Sequence, residues 1–258
     1  MKRKHRDSEH LFLAEGHQAV REALRRDPAG PGGVRALFVA PDAAVRHADL
    51  VHAADGLGVT VTAVDDTGMA GLSGTVTPQG IVAVCGYLDV PAPAALDPAP
   101  RLSAVLYEIN DPGNAGTVLR TADAAGAAAV VFGDGSVDPY NGKCVRASAG
   151  SLFHPAVVRG ADLAEVLPAL RDRGVRVLAA DGGGETDLDG ELDSGRLAEP
   201  TAWLFGNEAR GLPPDVAVLA DARVRIPIHG GAESLNLAAA AAVCLYASAR
   251  AQRRGPAD

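Results

Sequence analysis

The chain has 258 residues, a formal net charge of −8 and 47% hydrophobic residues. Its length predicts one or two domains with a sizeable core, and its acidic balance argues against a general nucleic-acid binder, because such domains are usually basic. No apolar run reaches the ~18 residues of a membrane span, and no long apolar stretch follows the basic N-terminus, which argues against a secretory signal. The widely spaced Cys85, Cys144 and Cys244 predict free thiols, no metal site and a cytoplasmic location.

The first domain is predicted to be a small α/β unit over residues 1–88. Apolar residues at helical spacing predict a helix over residues 12–26. Further strands are expected over 34–40, 59–64 and 81–85, and further helices over 43–57 and 66–72. Four prolines in the stretch 89–101 then predict a semi-rigid linker and a domain boundary.

Residues 102–258 predict a second α/β domain with a mostly parallel sheet, because strands and helices alternate along it. The expected strands are 102–108, 129–132, 155–158, 175–180, 201–205 and 222–225. The expected helices are 115–125, 141–149, 163–173 and an Ala-rich helix after residue 236. The acidic residues between 181 and 199 are expected to form a solvated surface loop.

A Gly-rich loop joins the last strand to the Ala-rich helix. Ser234 is predicted to be the helix N-cap, because its hydroxyl can accept from an unpaired backbone N–H. Gly230 and Gly231 add no Cβ bulk, so backbone groups could approach a small polar ligand. Taken alone, this stretch fits an ordinary strand–loop–helix junction equally well.

Three loops of the second domain share one character: each follows a strand and combines Gly or Pro with Asn and a charged or hydroxyl residue. These loops cover residues 110–114, 206–211 and 230–236. Ligands of open parallel sheets bind outside the carboxyl ends of the strands. The three loops are therefore expected to converge on one site.

Other ligand-binding and catalytic classes fit less well. Gly133 and Gly135 begin a GxG turn, but Asp138 stands where the dinucleotide fingerprint needs its third glycine, which disfavours a nicotinamide enzyme. The Gly-rich run 182–184 lies in an acidic stretch, a poor place for a pyrophosphate. The sequence contains no P-loop motif, and the serines between 148 and 151 with the isolated histidines form no plausible triad.

The three loops resemble the three motifs of the SpoU (TrmH) family of RNA ribose 2′-O-methyltransferases, within the SPOUT superfamily. The motifs correspond to residues 110–122, 204–212 and 226–236, and residues 11–88 are similar to the ribosomal-protein-like RNA-binding domain that often precedes the catalytic domain. The resemblance implies a trefoil-knotted, mostly parallel sheet, a homodimer, S-adenosylmethionine as methyl donor, and RNA as substrate. Ribosomal RNA, most readily 23S, is favoured, with protection against a ribosome-targeting antibiotic as one role of two-domain relatives. A tRNA methyltransferase and a non-catalytic RNA- or ribosome-binding protein with the same fold remain alternatives.

The resemblance also implies roles for individual residues. The catalytic group is Asn114, Arg120, Glu208, Ser234 and Asn236. Arg120 is expected to position the ribose hydroxyl and stabilise the developing alkoxide, because a guanidinium does not give up its proton. The residues expected to hold the cofactor, largely through backbone, are Leu204, Phe205, Gly206, Asn207, Gly211, Ile226, Ile228, Ser234, Leu235 and Asn236. The residues expected to bind RNA are Lys143, Arg146 and Ser148. The run 229–231 departs from the Met and single Gly of many relatives.

Overall fold

The computed structural model describes residues 3–254, of which residue 254 is described by its backbone alone. They divide into two compact units. The first holds the described residues up to Asp89 together with Asp138–His154, and the second holds Val90–Val137 and the described residues from Pro155 onward.

The segment Asp138–His154 was expected in the second domain, but it packs with the first unit. Tyr140 accounts for this difference. Its buried ring stacks on Tyr87, with ring centroids 4.1 Å apart, and lies 4.8 Å from Phe12. Its hydroxyl accepts from the N–H of Leu88 and donates to Asp89. An aromatic contact of this kind leaves no periodic signal in the sequence.

Two sheets form the framework. The first unit has four strands in the order β1-β4-β2-β3: β1 Leu11–Glu15, β2 Val34–Val39, β3 Thr60–Ala63 and β4 Ile81–Gly86. The second unit has seven strands, parallel at every pairing, in the order β7-β6-β5-β10-β8-β11-β9. They are β5 Leu102–Leu106, β6 Ala129–Gly133, β7 Ala156–Ala161, β8 Arg176–Ala180, β9 Thr186–Asp187, β10 Thr201–Phe205 and β11 Ala222–Arg225. The predicted mostly parallel sheet is confirmed.

The helices alternate with these strands. They are α1 Arg3–Glu9, α2 His17–Leu24, α3 Pro41–Arg46, α4 Ala48–Gly56, α5 Asp66–Leu72, α6 Ala92–Ala95, α7 Pro112–Ala125, α8 Gly142–Ser148, α9 Leu163–Arg171, α10 Leu188–Asp193, α11 Pro214–Ala217 and α12 Leu237–Arg254. None of the described helices is both long and apolar enough to cross a lipid bilayer.

The helix predicted over residues 12–26 is wrong in its first part, where β1 pairs antiparallel with β4. Phe12 and Ala14 are buried and alternate with more exposed neighbours. This period of two belongs to a strand. Gly16 then turns the chain with φ +91°, a conformation that glycine adopts without steric cost, and α2 begins directly after it. The helix predicted over 43–57 is likewise broken, at His47, into α3 and α4.

The predicted linker is partly a structural element of the second unit. The N–H of Val90 donates to the carbonyl of Val157, α6 forms within the Pro-rich stretch, and Ala95 and Leu96 are buried in the core. Burial of Leu96 is favourable by about 1.5–3 kcal/mol relative to exposure, before the entropy of ordering. The number of prolines alone did not predict that this segment packs into the core of the second unit.

The acidic stretch 181–199 is not a plain solvated loop. It contains β9 and α10, and the Asp187 carboxylate caps α10 by accepting from the N–H of Gly190. Glu191 is fully buried, with its carboxylate 3.1 Å from Arg176 and 2.9 Å from Arg196. A buried carboxylate remains charged only when such partners compensate its desolvation.

The strand register brings four loops together. In the sheet, Leu106 at the end of β5 pairs with Phe205 at the end of β10, and Phe205 pairs with Ala180 at the end of β8. Ala180 pairs in turn with Val224 of β11. Four adjacent parallel strands therefore end at the same level, and the loops that follow them share one edge of the sheet.

Candidate functional site

A cavity of about 260 Å³ opens at this edge of the sheet. Apolar side chains form much of its wall, and backbone of glycine-containing loops forms the rest. The lining residues come from the ends of β8, β10 and β11 and from the start of α12: Ala180, Asp181, Gly182, Phe205, Gly206, Asn207, Glu208, Gly211, Val224, Ile226, Ile228, Glu233, Ser234, Leu235, Leu237 and Ala240.

Most of the residues predicted to hold a cofactor line this cavity. They are Phe205, Gly206, Asn207, Gly211, Ile226, Ile228, Ser234 and Leu235. Leu204 does not line it, because the period of two along β10 turns its side chain into the core of the second unit. Asn236 does not line it either, and instead forms hydrogen bonds beside it.

Sequence reasoning missed the contribution of the loop after β8. Asp181 and Gly182 line the cavity, although the run 182–184 had been interpreted only as a poor place for a pyrophosphate. The available signal was positional: β8 was itself predicted to be a parallel strand, so the loop after it belonged at the same edge as the other three.

The loop after β10 is tightly closed. Asn207 and Gly211 exchange two backbone hydrogen bonds, of 3.0 and 2.8 Å. The Asn207 side chain accepts from the N–H groups of Ala209 and Arg210 and donates to the carbonyl of Glu108 at 2.7 Å. A Cβ on Gly206 would lie 2.5 Å from the carbonyl carbon of Gly211, so only glycine fits at this position.

Glu208 connects this loop to the loop after β5. Its carboxylate accepts from the N–H groups of Asn110 and Asp111, both at 3.1 Å, and from the side-chain amide of Asn114 at 3.2 Å. Burial alone raises the pKa of the Glu208 carboxyl, but the hydrogen bonds from Asn110, Asp111 and Asn114 outweigh it and hold the pKa below its usual value. The carboxylate is therefore ionised at neutral pH and acts as an acceptor.

Asn236 extends the network into the third motif. Its side-chain amide donates to the Asn114 oxygen at 3.2 Å, and its own oxygen accepts from the N–H of Ala238 at 2.9 Å. Glu208, Asn114 and Asn236 thus form one hydrogen-bonded chain that joins all three motifs.

The N-cap of α12 is Asn236 and not Ser234, as the sequence had predicted. The helix begins at Leu237, so the residue directly before it occupies the cap position. Ser234 lies two residues too early, is exposed, and lines the cavity. The predicted role of Ser234 as the helix cap is therefore wrong, and its role at the site stays a prediction.

Arg120 lies on α7, about two turns beyond Asn114. The helix starts at Pro112 and is capped by Asp111, whose carboxylate accepts from the N–H groups of Gly113 and Asn114. The Arg120 side chain is exposed and forms no hydrogen bond or ion pair with any residue that the structure describes. Arg120 does not line the cavity. Because its guanidinium is exposed and unpaired among the described residues, it is available to a ligand that extends out of the cavity.

The three predicted RNA-binding residues lie on α8, in the first unit. Lys143 is exposed. Arg146 is 3.2 Å from the Glu15 carboxylate and lines a polar cavity of about 120 Å³ with Thr75. Ser148 is fully buried and donates to the carbonyl of Val145 at 2.8 Å. A hydroxyl without solvent access cannot touch RNA, so the assignment of Ser148 is corrected to a structural one.

Cys85, Cys144 and Cys244 are free and buried, and burial raises the pKa of each thiol. Buried thiols with raised pKa values are poor nucleophiles. Within residues 3–254, no group of three or more His, Cys, Asp or Glu residues is arranged to hold a metal ion.

Comparison with known proteins identifies the family. Residues 101–246 match the SpoU rRNA Methylase family, and residues 1–83 match the MRM3-like substrate binding domain. The 23S rRNA (guanosine(2553)-2'-O)-methyltransferase RlmP of Bacillus subtilis (strain 168) is 34% identical over 246 residues, which cover 95% of this chain and 90% of the relative.

Two similar solved structures contain AdoMet, which is S-adenosylmethionine. The AdoMet-bound rRNA methyltransferase from Sinorhizobium meliloti is 30% identical with a TM-score of 0.79, covering 96% of this chain and 90% of that one. The SpoU methyltransferase AviRb from Streptomyces viridochromogenes, in complex with AdoMet, is 29% identical with a TM-score of 0.80, covering 98% and 95%. Since one family spans more than half of the chain and a relative at 34% identity matches 95% of it, the chain belongs to the SpoU rRNA methylase family.

Proposed function

We propose that this protein transfers the methyl group of S-adenosylmethionine to a ribose 2′-hydroxyl of ribosomal RNA. The observation that carries the proposal is the hydrogen-bonded chain of Glu208, Asn114 and Asn236, which joins the three motif loops beside the cavity. A protein that had kept only the fold would have no need to hold these three side chains together at the mouth of a ligand-sized cavity.

The cavity fits the cofactor in its chemistry. Ile228 and Leu235 are 38% and 40% exposed beside it, which is apolar surface that an adenosyl group would cover. Gly206 and Gly211 line the cavity with backbone, and the space where a Cβ of Gly211 would stand is open. When bound there, the cofactor supplies a methyl group activated by a sulfonium.

The protein's own groups are suited to orientation more than to proton transfer. Glu208 is a weak base, because its pKa is lowered and its oxygens already accept three hydrogen bonds from neighbouring groups. It fixes Asn114, and Asn114 fixes Asn236, so that both amides keep one orientation. Holding reactants in an attacking geometry supplies a large part of such a rate enhancement.

We assign to Arg120 the positioning of the ribose hydroxyl and the stabilisation of the alkoxide that develops on it. The support is its exposure and its lack of a partner among the described residues. The guanidinium remains protonated throughout. The hydroxyl proton therefore leaves to a phosphate of the RNA or to water.

The RNA class follows from similarity over the whole chain. The relative and the two structures that match over both units are named as rRNA or SpoU methyltransferases. We therefore favour ribosomal RNA over transfer RNA. We propose that residues 1–88 bind this RNA with help from Lys143 and Arg146, and that residues 102–258 form the SPOUT catalytic domain.

We further propose that the protein is a cytoplasmic homodimer with a trefoil knot in its catalytic domain. The dimer is supported by α12, where Val243 and Tyr246 are 41% and 51% exposed and lie one helical turn apart on one face. The knot rests on family membership and on the insertion of β10 between β5 and β8, which returns the chain to the middle of the sheet. The location follows from the proposed substrate.

Methyl transfer is tested by incubating the protein with radiolabelled S-adenosylmethionine and either ribosomal or transfer RNA. Incorporation into ribosomal RNA is expected, and mapping of 2′-O-methyl sites in cells with and without the protein should reveal one nucleotide that loses its methyl group. RNA binding without incorporation would favour a non-catalytic ribosome-binding protein, and incorporation into transfer RNA would favour the tRNA enzyme. Growth of the same two strains with ribosome-targeting antibiotics tests a protective role.

A further inference from the structure

The charged side chains that line the proposed cofactor cavity are all of one sign. Three carboxylates line it, those of Asp181, Glu208 and Glu233, and no Lys, Arg or His is among the described residues that do. The three come from the loops after β8, β10 and β11. An apolar cavity wall with several carboxylates creates a negative potential that attracts cations.

The three carboxylates differ in how far their charge is compensated. Glu208 accepts hydrogen bonds from neutral donors, which leave its negative charge in place. Asp181 accepts from the N–H of Gly183 and lies 3.6 Å from the guanidinium of Arg223, which offsets part of its charge.

Glu233 is the uncompensated carboxylate. It is exposed and has no hydrogen bond or ion pair with any residue in the described part of the chain. The positive counterpart at the cavity is the N-terminal end of α12 at Leu237, worth about half an elementary charge. The cavity therefore remains negative on balance.

The proposed reaction changes the charge of its cofactor. S-adenosylmethionine carries a sulfonium, an ammonium and a carboxylate, and is a net cation. In the transfer, the bond from sulfur to the methyl carbon breaks, a bond from the ribose oxygen to that carbon forms, and the hydroxyl proton passes to an RNA phosphate or to water. The product, S-adenosylhomocysteine, is a neutral thioether with the same ammonium and carboxylate, so its net charge is zero.

On the basis of the function proposed above, we propose that the carboxylates of this cavity select the methylated cofactor over its product by charge, and that Glu233 is the specificity-determining residue. Glu233 attracts the sulfonium form and has no such attraction for the thioether. The same residue thus favours loading of the cofactor and release of the product.

The test is isothermal titration calorimetry of the full-length protein with three probes. They are S-adenosylmethionine, S-adenosylhomocysteine, and sinefungin, which has a protonated amine in place of the methylsulfonium and transfers no methyl group. Glu233→Gln is expected to weaken the two cationic probes about three- to fivefold, the factor for unit charges a few ångströms apart in water-like surroundings. The affinity of the Glu233→Gln variant for S-adenosylhomocysteine should stay within about 1.5-fold of wild type, because this probe has no net charge for Glu233 to attract.

Two further variants complete the design. Asp181→Asn keeps the oxygen that accepts from Gly183. It should weaken the two cationic probes by a smaller factor than Glu233→Gln does, because Arg223 already offsets the charge of Asp181, and it should leave S-adenosylhomocysteine unchanged. Glu165→Gln removes another exposed charge, on α9 and away from the cavity lining, and should change none of the three affinities.

The outcomes distinguish a failure of the charge selection from a failure of the proposed methyl-transfer function. A selective loss of the cationic probes in Glu233→Gln supports it. If Glu233→Gln weakens all three probes equally, or changes none of them, the charge selection is wrong. The proposed function then still stands, because the wild-type protein binds the cofactor. A wild-type protein that binds none of the three overturns the proposed function and this inference with it.

Discussion

The Glu208→Gln substitution tests whether the motif network orients the reacting groups. Glutamine has nearly the same shape as glutamate, but one carboxylate oxygen becomes an NH₂ group. In the folded protein the two oxygens of Glu208 accept from Asn110, Asp111 and Asn114. At least one of these donors must then face another donor, so the loop after β5 loses part of its attachment.

The size of the effect follows from the number of donors left without an acceptor. A buried unsatisfied donor costs about 1–3 kcal/mol, and the exposed position of Glu208 places this one at about 1 kcal/mol. In a protein of this size, such a loss lowers Tm by about 2–4 °C. The rate should suffer more, because a displacement of the reacting groups by about 1 Å can cost about 100-fold.

The assay is steady-state methyl transfer to ribosomal RNA, with calorimetry for S-adenosylmethionine and a thermal melt as controls. We expect kcat to fall about 10- to 100-fold while the protein remains folded. Wild-type kcat in Glu208→Gln would refute the orienting role.

The pH dependence gives a second check on the same residue. The pKa of the Glu208 carboxyl in the folded protein lies below its usual value. The ionised Glu208 therefore contributes its full stabilisation at every pH above the ordinary carboxyl pKa, and this stabilisation is lost only as the pH falls through the lowered pKa. It should therefore produce no activity step near neutrality. A step between pH 6 and 7 that Glu208→Gln abolishes would instead identify it as a general base.

Three further predictions address the cavity, the substrate and the assembly. Gly206→Ala places a Cβ 2.5 Å from the backbone of Gly211 and should weaken the affinity for S-adenosylmethionine at least about tenfold by calorimetry. The control Gly71→Ala, with open space around its Cβ, should leave that affinity unchanged, and equal affinities of the two variants would contradict the role of Gly206. Arg120→Ala should lower methyl transfer by about 100-fold or more and leave the cofactor Kd within about twofold, and full activity would exclude its assigned role. Tyr246→Glu puts a charge on the exposed face of α12 and should convert a dimer to a monomer in sedimentation; an unchanged dimer would exclude this face.

Local pattern predicted much of the second unit and less of the first. Strands such as β6 and β10 were predicted within one residue at each end, because short apolar runs bounded by Gly or polar residues identify buried parallel strands. In β1, only two side chains face the core. The apolar residues of α2 follow after one turn residue. The sequence over residues 12–26 therefore fitted one continuous helix as well as a strand followed by a helix. Pairing with β4 decided between them, and pairing is a long-range interaction.

The site shows the same division. The resemblance of the three motifs to the SpoU family predicted Phe205, Gly206 and Ser234 for a cofactor site, and all three line one cavity. The hydrogen-bond partners of Asn114 and Asn236 were not predictable, because the contacting residues are far apart in the chain and meet only through the register of the sheet. The loop after β8 was missed for a different reason: its acidic residues argued against a pyrophosphate, although the predicted parallel strand before it already placed it at this edge of the sheet.

The sequence by itself determined that this protein has a parallel α/β unit with three motif loops at one edge, because strand periodicity and motif spacing are local properties. Only the tertiary structure decided that Asn236 and not Ser234 caps α12, that Ser148 and Glu191 are buried, and that Asp181 belongs to the cavity. Each of these outcomes depends on which strands are neighbours and which side chains are desolvated, and both are set by packing between distant segments.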